Sequence, residues 1–519
     1  MERVISSYIL GIDAGTESIR AAVFNERGVC LGFGKGNCSN IHARPGWAEQ
    51  SIQQWEESIV KAIQAALASS GVRGDDITGI GIDGTSCTIV FLDENKKPLR
   101  NAIMWMDVRA FTEAEEIAAT KDSALKYVGF GNVSPEWFPC KVLWIKRHEP
   151  RVYEQAKTIF EQTDWLAFKL TGEITGNINT TSVRWFYDSS QNGFPKSLYE
   201  RVGLENIFEK LPDRILPLGE VVGALTQEMA EATGLKKGTP VAAGGADAFV
   251  GIIGLNALTP GSLALITGSS QLQLGLMDKE LHARGLFGSY PDAVLPGYHT
   301  IEAGQISTGS VLKWFKDNFT NSGIEDTAKR KGLDVYQVYS EKAKGIPPGS
   351  EGLIVLEHWQ GNRTPWVDGS SRGVIRGLTL HHTPYHVFKA LMEGVAYGTA
   401  VILKIMEEKG VEIKEMIACG GATQSDLWMQ INANVTGKTI LIPEEQQAVV
   451  LGSAILGSVG AGMYGSIKEA AGEMVHIKTR FDPDMVELDA YAFYVDQYIR
   501  TYECLKEESR KMVSHLKPY

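Results

Sequence analysis

The sequence predicts an α/β protein of two related lobes facing each other across a cleft, and three observations carry that reading. A hairpin pattern at Tyr8 to Phe24 (YILGIDAGTESIRAAVF) recurs about half a chain later at Leu263 to Leu276 (LALITGSSQLQLGL). Strand-like and helix-like stretches alternate in both halves, as in sheets covered by crossover helices. The 519 residues are 44% hydrophobic and 22% charged, enough apolar material for more than one large core.

Taken in chain order, Tyr8 to Phe24 is an apolar run, a glycine-containing polar turn and a return strand in which Ile19, Ala21 and Val23 alternate with more polar residues. Ile52 to Ser69 has the apolar spacing of a helix, and Ile77 to Ile82 and Thr88 to Leu92 read as strands. Pro240 to Ala243 is a short apolar strand that runs through Gly244-Gly245-Ala246-Asp247-Ala248 into an apolar helix ending near Ile253. After the second hairpin, Pro384 precedes a long helix from His386 to Glu408. Glu415 to Cys419 reads as a strand and Ser425 to Val435 as a helix. A lobe boundary falls near residues 255 to 262, dividing the chain into 1–256, 257–480 and a helical tail, 481–519, packed on the body. The tail is charged with helical period and reads as an outer helix without chemistry.

A net charge of −11 and a pI near 5.5 offer no general attraction to a nucleic-acid backbone or an anionic bilayer. The six cysteines are scattered with no C-x-x-C pair, which speaks against a disulfide framework or a structural zinc site and for a reducing cytoplasm. Met1 to Asp13 lacks the apolar length of a signal peptide. Gln446 to Ile467 is uncharged but rich in glycine, which points to a close-packed buried helix rather than a membrane span.

Three glycine clusters are candidates for chemistry. The turn Asp13-Ala14-Gly15-Thr16-Glu17-Ser18 can aim backbone N–H groups and hydroxyls at a polyphosphate, with Asp13 holding magnesium through water; the same residues also suit an ordinary tight turn. Its repetition at Thr267-Gly268-Ser269 favours the phosphate reading. Cys419-Gly420-Gly421-Ala422-Thr423-Gln424-Ser425 can lie flat against a bulky ligand or simply connect strand to helix, and matches neither a Rossmann fingerprint nor a P-loop. Asp247 is either a helix cap or a general base on a turn that faces the cleft. His381, His382 and His386 contain an i, i+4 pair with no third ligand evident nearby, and read as a polar loop-to-helix junction.

Together these pieces resemble the FGGY carbohydrate kinases, two-lobed members of the actin-like ATPase (ribonuclease H-like) superfamily. Further supporting segments are NAIMWMDVR at 101–109, KVLWIKRH at 141–148, DWLAFKLTG at 164–172, HVFKALMEG at 386–394 and ACGGATQSD at 418–426. Phe138 departs from the pattern, which has a small residue three places before the lysine. The resemblance implies an ATP- and Mg2+-dependent kinase acting on a small sugar, with no nucleic-acid or membrane partner and with the oligomeric state open, a homodimer included.

It also implies roles residue by residue. Asp247 corresponds to the catalytic base and Asp13 to the carboxylate near magnesium. Gly15, Thr16 and Ser18 correspond to the first phosphate turn, and Thr267, Gly268 and Ser269 to the second. Gly309 and Lys313 fall on a helix beside the nucleotide, and Gly420, Gly421, Ala422 and Ser425 on the adenosine platform. The loop Gly81 to Thr88, with Asp83, Ser86 and Cys87, resembles the ribulokinase pattern more than those of glycerol kinases or xylulokinases, and so does Glu302. Arg184 stands where ribulokinases carry a lysine, keeping charge but changing geometry. Trp105 is either a platform for the sugar's carbon chain or a core aromatic. The expected substrate is therefore a ketose, a pentulose before xylulose, glycerol or a tetritol.

Overall fold

The computed structural model describes residues 7–130, 133–191 and 193–516. The first sheet contains β1 (Tyr8–Ala14), β2 (Ser18–Phe24), β3 (Cys30–Asn37), β4 (Ile77–Gly84), β5 (Val221–Ala224), β6 (Pro240–Ala242) and β7 (Gly245–Ala246). Its order is β5-β6-β4-β1-β2-β3, with β7 also beside β4. The second sheet contains β8 (Ser262–Thr267), β9 (Gln271–Met277), β10 (Phe287–Pro291), β11 (His299–Gln305), β12 (Glu415–Gly420), β13 (Thr439–Pro443) and β14 (Ile477–Phe481). Its order is β10-β11-β9-β8-β12-β13-β14. In both sheets the first strand of the repeated hairpin pairs antiparallel with its successor and parallel with a later strand, β1 with β4 and β8 with β12. The duplication read from two short segments thus extends to sheet topology.

The helices that frame the cleft are α1 (Ile52–Ser70), α2 (Ile178–Trp185), α3 (Asp247–Gly254), α4 (Gly309–Phe319), α5 (Pro384–Glu408), α6 (Asp426–Thr436), α7 (Ala448–Gly460) and α8 (Met485–His515). α1 starts where the Ser51 hydroxyl accepts from the Gln54 N–H, and stops at Gly71, whose φ of 68° permits a left-handed cap. It lies on β3, which turns Gly32, Gly34 and Gly36 toward it. A Cβ on Gly34 would stand 2.1 Å from the Ala62 carbonyl oxygen.

The same device joins the lobes. The uncharged stretch near the end of the chain forms α7, a buried helix packed against β1, β4 and α3. Its residues share a core with the first sheet although in sequence they lie between β13 and β14 of the second. A Cβ on Gly81 of β4 would lie 1.7 Å from the Ser453 carbonyl oxygen, and one on Gly254 of α3 1.7 Å from that of Ala448. Among the described residues no helix is long and apolar enough to cross a membrane.

The tail helix α8 is charged outward, but three tyrosines pin it to the body. Tyr491, Tyr498 and Tyr502 donate to Glu393 (2.9 Å), Glu357 (2.8 Å) and Asp368 (3.0 Å).

Gly81→Ala should lower the urea midpoint by the equivalent of about 1–3 kcal/mol or more, because backbone rather than a movable side chain blocks the added methyl. Gly345→Ala, where nothing lies within 4 Å, should stay within about 0.5 kcal/mol. Equal midpoints for the two variants would contradict the close packing.

Candidate active site

Three adjacent parallel strands of the first sheet bring carboxylates to their C-terminal ends, the edge where open α/β sheets bind ligands. Asp13 on β1 is in register with Asp83 on β4. On the other side of β4, Gly245 of β7 pairs with Asp83, and the chain turns directly into α3 with Asp247 as its first residue. Asp13 and Asp83 are fully buried, whereas Asp247 keeps part of its surface exposed.

Their electrostatics differ accordingly. Burial raises the Asp13 carboxyl above its ordinary value, opposed by the ion pair with Arg20, its cross-strand neighbour on β2. Asp83 is pushed much further up, by burial and then by the Asp13 charge, while the Ser453 hydroxyl of α7 donates to its Oδ2. Asp247 rises to about 6 through burial and the nearby Asp13 charge, held there by the Ala248 N–H, which donates to Oδ1 at 2.7 Å, and by Arg20. Asp83, an expected sugar contact, has no exposed surface in the structure and lies beside Asp13.

The loop after β4 is held in an unusual shape by two buried charged residues. Cys87 has a φ of 62°, in the left-handed region. Its N–H donates to Glu161 Oε2 (2.7 Å) and its carbonyl accepts from Lys141 Nζ (2.9 Å). Lys141 also donates to the carbonyls of Met104 (2.6 Å) and Trp105 (3.2 Å), so one ammonium ties the 84–88 loop to the loop bearing Trp105. Burial lowers the Lys141 pKa, and raises that of Glu161 to about 8 against the hydrogen bonds from Trp185 and Cys87. Sequence reasoning missed both positioning residues; the available signal was a lone charge in each of two apolar runs, FPCKVLWI and TIFE. Phe138 fits here, stacking on Trp185 with centroids 3.7 Å apart.

The expected sugar contacts are partly brought together. Arg184, at the end of α2, donates to both oxygens of Glu302 on β11 (3.0 and 2.8 Å) and to the Tyr290 hydroxyl (2.7 Å), linking the two lobes. Burial alone would lower the Arg184 pKa, and the Glu302 charge outweighs it, so the guanidinium stays charged. Trp105 is 37% exposed and donates through Nε1 to the Thr16 hydroxyl (2.9 Å), so it is no core aromatic. Ser86 is half-buried, while the Cys87 side chain is buried and its thiol pushed up to about 12 by burial, then by Glu161. Cys87 is consequently a shaped backbone position rather than a sugar-facing thiol.

In the first turn Gly15 and Thr16 are half-buried, and Ser18 closes the turn by accepting the Gly15 N–H through its carbonyl (3.0 Å). In the second, Gly268 and Ser269 are exposed, and their carbonyls accept from the backbone at the start of α4. Gly268, Gly309, Gly421, Ala422 and Ser425 line one cavity of about 1150 Å³, large enough for a nucleoside and more.

Three expected nucleotide contacts move. Thr267 is buried and stitches the two turns together, donating to the Cys419 carbonyl (2.7 Å) and accepting from the Ala422 N–H (3.2 Å). Gly420 supplies a φ of 93° and a close approach to Thr267 rather than a cavity wall. Lys313 points outward from α4 and pairs with Asp317, one turn on, because Leu312 and not Lys313 faces the cavity.

Two topologically matched lobes carry a carboxylate cluster at strand ends in the first and a cavity of nucleoside size or more in the second. Residues 8–254 match the N-terminal domain, and residues 263–461 the C-terminal domain, of the FGGY family of carbohydrate kinases, and the chain belongs to that family. It is an ATP-dependent carbohydrate kinase. It is 33% identical to a ribulokinase of Geobacillus thermodenitrificans, over 98% of this chain and 96% of that protein. To a ribulokinase of Halalkalibacterium halodurans it is 32% identical, over 99% and 97%. Its fold resembles that of a xylulose kinase from Rhodospirillum rubrum (TM-score 0.85, 24% identity, 97% and 100% covered). It also resembles a Plasmodium falciparum glycerol kinase with ADP (TM-score 0.82, 19% identity, 96% and 98% covered).

Arg184→Met should cost about 3–5 kcal/mol, since it leaves the buried Glu302 charge without its partner, and Arg184→Met combined with Glu302→Leu should recover most of that loss. Urea unfolding of the two variants checks this; equal losses would mean that the pair does not hold the lobes together.

Proposed function

We propose that this kinase phosphorylates a pentulose and that Asp247 is its catalytic base. One observation carries the assignment of the base: of the three convergent carboxylates only Asp247 reaches the surface, so only it can take a proton from a substrate hydroxyl. The pentulose reading rests on the ribulokinase relatives and on the Gly81 to Thr88 loop, with Arg184, Glu302, Trp105 and Ser86 as the sugar-facing set.

In the proposed reaction the sugar's terminal hydroxyl gives its proton to Asp247 as its oxygen attacks the γ-phosphorus in line. The bond to the β,γ-bridging oxygen breaks, and ADP leaves with that electron pair. Trp105 and the loop tied down by Lys141 orient the carbon chain, so much of the rate comes from positioning. Gly15, Thr16, Gly268 and Ser269 hold the phosphates from two sides, and the cavity at Gly421, Ala422 and Ser425 takes the adenosine.

Asp13 and Asp247 share a single nearby cation, Arg20, and buried Asp13 Oδ1 has no hydrogen-bond donor, a donor set that fits a hard divalent ion. Asp13 would hold Mg2+ through water, and the ion when bound would neutralise charge on the transferring phosphoryl group. On this reading residues 1–256 supply the sugar site, first turn and base, residues 257–480 the second turn and adenosine site, and residues 481–519 the packed tail. The free, scattered cysteines suit a cytoplasmic enzyme.

Asp247→Ala should reduce sugar-dependent ADP release by about 10²–10⁴-fold with nucleotide affinity little changed. Assaying the parent enzyme against ribulose, xylulose, tetruloses, tetritols and glycerol should give the highest kcat/KM with a pentulose. Near-normal turnover in the variant would remove the base, and a preference for glycerol or a tetritol would remove the pentulose.

The base works only as the carboxylate, and burial makes that form harder to reach, so activity is lost at a higher pH than an ordinary aspartate would dictate. The acid limb of kcat/KM should break near pH 6, rising with pH through that value. A break near pH 4 would place the proton acceptor elsewhere.

A further inference from the structure

The histidines at the start of α5 lack a third ligand in the local sequence, and the fold supplies one from 30 residues upstream. Glu351, in the loop before the strand Ile354–Leu356, meets His381 and His386, and one donor atom from each lies within 4.8 Å of the other two. Among the described residues this is the only set of three His, Cys, Asp or Glu side chains so gathered. We propose that Glu351, His381 and His386 form a site for one zinc-class divalent cation, with water completing the coordination.

Spacing comes first. The Nε2 atoms of His381 and His386 lie 2.7 and 3.2 Å from the same Glu351 oxygen, Oε2. Ligands at the corners of a zinc tetrahedron with bonds of about 2.0–2.1 Å are roughly 3.3–3.4 Å apart. Each histidine nitrogen therefore stands within tenths of an ångström of its required distance from the carboxylate oxygen, and the two nitrogens lie within 4.8 Å of each other. His381 is on an exposed loop and can make that adjustment, while His386 is 12% exposed and anchored on the helix.

The surroundings orient the donors as well. His386 Nδ1 lies 2.8 Å from the Thr383 hydroxyl and 3.2 Å from the Thr383 N–H. In the structure Nδ1 accepts the Thr383 N–H and Nε2 faces Glu351; binding a cation through Nε2 moves the ring proton to Nδ1, where the Thr383 hydroxyl accepts it. His382 is committed elsewhere: its Nδ1 accepts from the Thr379 N–H (2.9 Å), which leaves Nε2–H to donate to the Glu351 carbonyl (3.3 Å). It thereby fastens the carboxylate's loop to the histidine loop. Ser350 and Glu351 sit in the left-handed region (φ 47° and 57°), and Gly349 N–H and Ser350 Oγ anchor their loop by donating to buried Glu393 (3.0 and 2.7 Å).

Ligand chemistry sets the class of ion. Two imidazoles and one carboxylate favour zinc and its neighbours over magnesium, which prefers oxygen and water. The site is also chemically distinct from the all-carboxylate cluster at Asp13. α5 runs from His386 directly to Phe388 and Lys389, which line the nucleoside cavity, so the ion would clamp the loops at the start of a helix that forms a cavity wall.

The test uses the full chain, with any purification tag removed, stripped by EDTA and returned to metal-free buffer without nucleotide. Titration with zinc sulfate, followed by calorimetry and by metal analysis after desalting, should give one zinc per chain, not displaced by millimolar Mg2+. His381→Ala and Glu351→Gln should each weaken binding by about tenfold or more while Mg2+·ATP-dependent sugar phosphorylation stays at the parent level. Absence of stoichiometric zinc binding would overturn the proposal, as would undiminished binding in the double variant or displacement by Mg2+. His381 is a loop residue with 72% of its side chain exposed, so its replacement tests ligation rather than folding.

Discussion

The active site depends on one steric constraint, the backbone-to-backbone contact of α7 with β1, β4 and α3. Gly11 and Gly81 on the strands, Gly452 and Gly457 on the helix, and Gly254 on α3 leave no room for a Cβ, so a helix from late in the chain rests on strands from its beginning. Such a contact excludes sliding, because interiors at crystal-like density have few alternative arrangements. It also delivers Ser453 to Asp83, so the element joining the lobes is the one that satisfies the deepest carboxyl of the cluster.

From that contact the division of labour among the carboxyls follows. Strand register sets Asp13 beside Asp83, and the turn after β7 sets Asp247 one step further toward solvent. Three ionised carboxylates so close would repel one another strongly, and burial magnifies the repulsion. The structure eases the conflict through burial and pairing: burial and the Asp13 charge push the Asp83 carboxyl well up, Arg20 opposes the rise at Asp13, and Asp247, partly exposed, rises to about 6. A residue's role here is decided less by its identity than by how far along its strand it stands.

That dependence on depth explains which parts of the site were legible in the sequence. The repeated hairpins, the helix from Pro384 and the adenosine-side glycines were readable because turn chemistry and apolar periodicity are local signals. The segments that carry Asp83, Thr267, Gly420 and Lys313 were legible but the way these residues face was not, since that depends on register and on neighbours from distant segments. Lys141 and Glu161 showed only as lone charges in apolar runs, because their partners, the Cys87 and Met104 backbones, lie 37 to 74 residues away. The third ligand at His381 and His386 is likewise remote, and no spacing rule within the histidine segment could have revealed Glu351.

In the second lobe the turn at Thr267-Gly268-Ser269 is followed by a buried hydrogen-bond network that reaches the tail helix. Gln271, the first residue after that turn, donates to Gln305 Oε1 (3.1 Å), which also accepts from Thr399 (2.9 Å). Gln305 Nε2 donates in turn to Glu357 (2.9 Å) and to the Val395 carbonyl (2.9 Å), and Glu357 accepts from Tyr498 of the tail helix. Burial holds the Glu357 carboxyl at about 7 and the adjacent His358 at about 4, so near neutrality the chain contains an imidazole without charge. Every polar atom of Gln305 is used, which makes the network costly to rearrange. The tail read from its charge pattern as an outer helix is thus one end of a buried chain whose other end is the turn at Gly268 and Ser269, and its tyrosines belong to the architecture of the second lobe as much as the strands do.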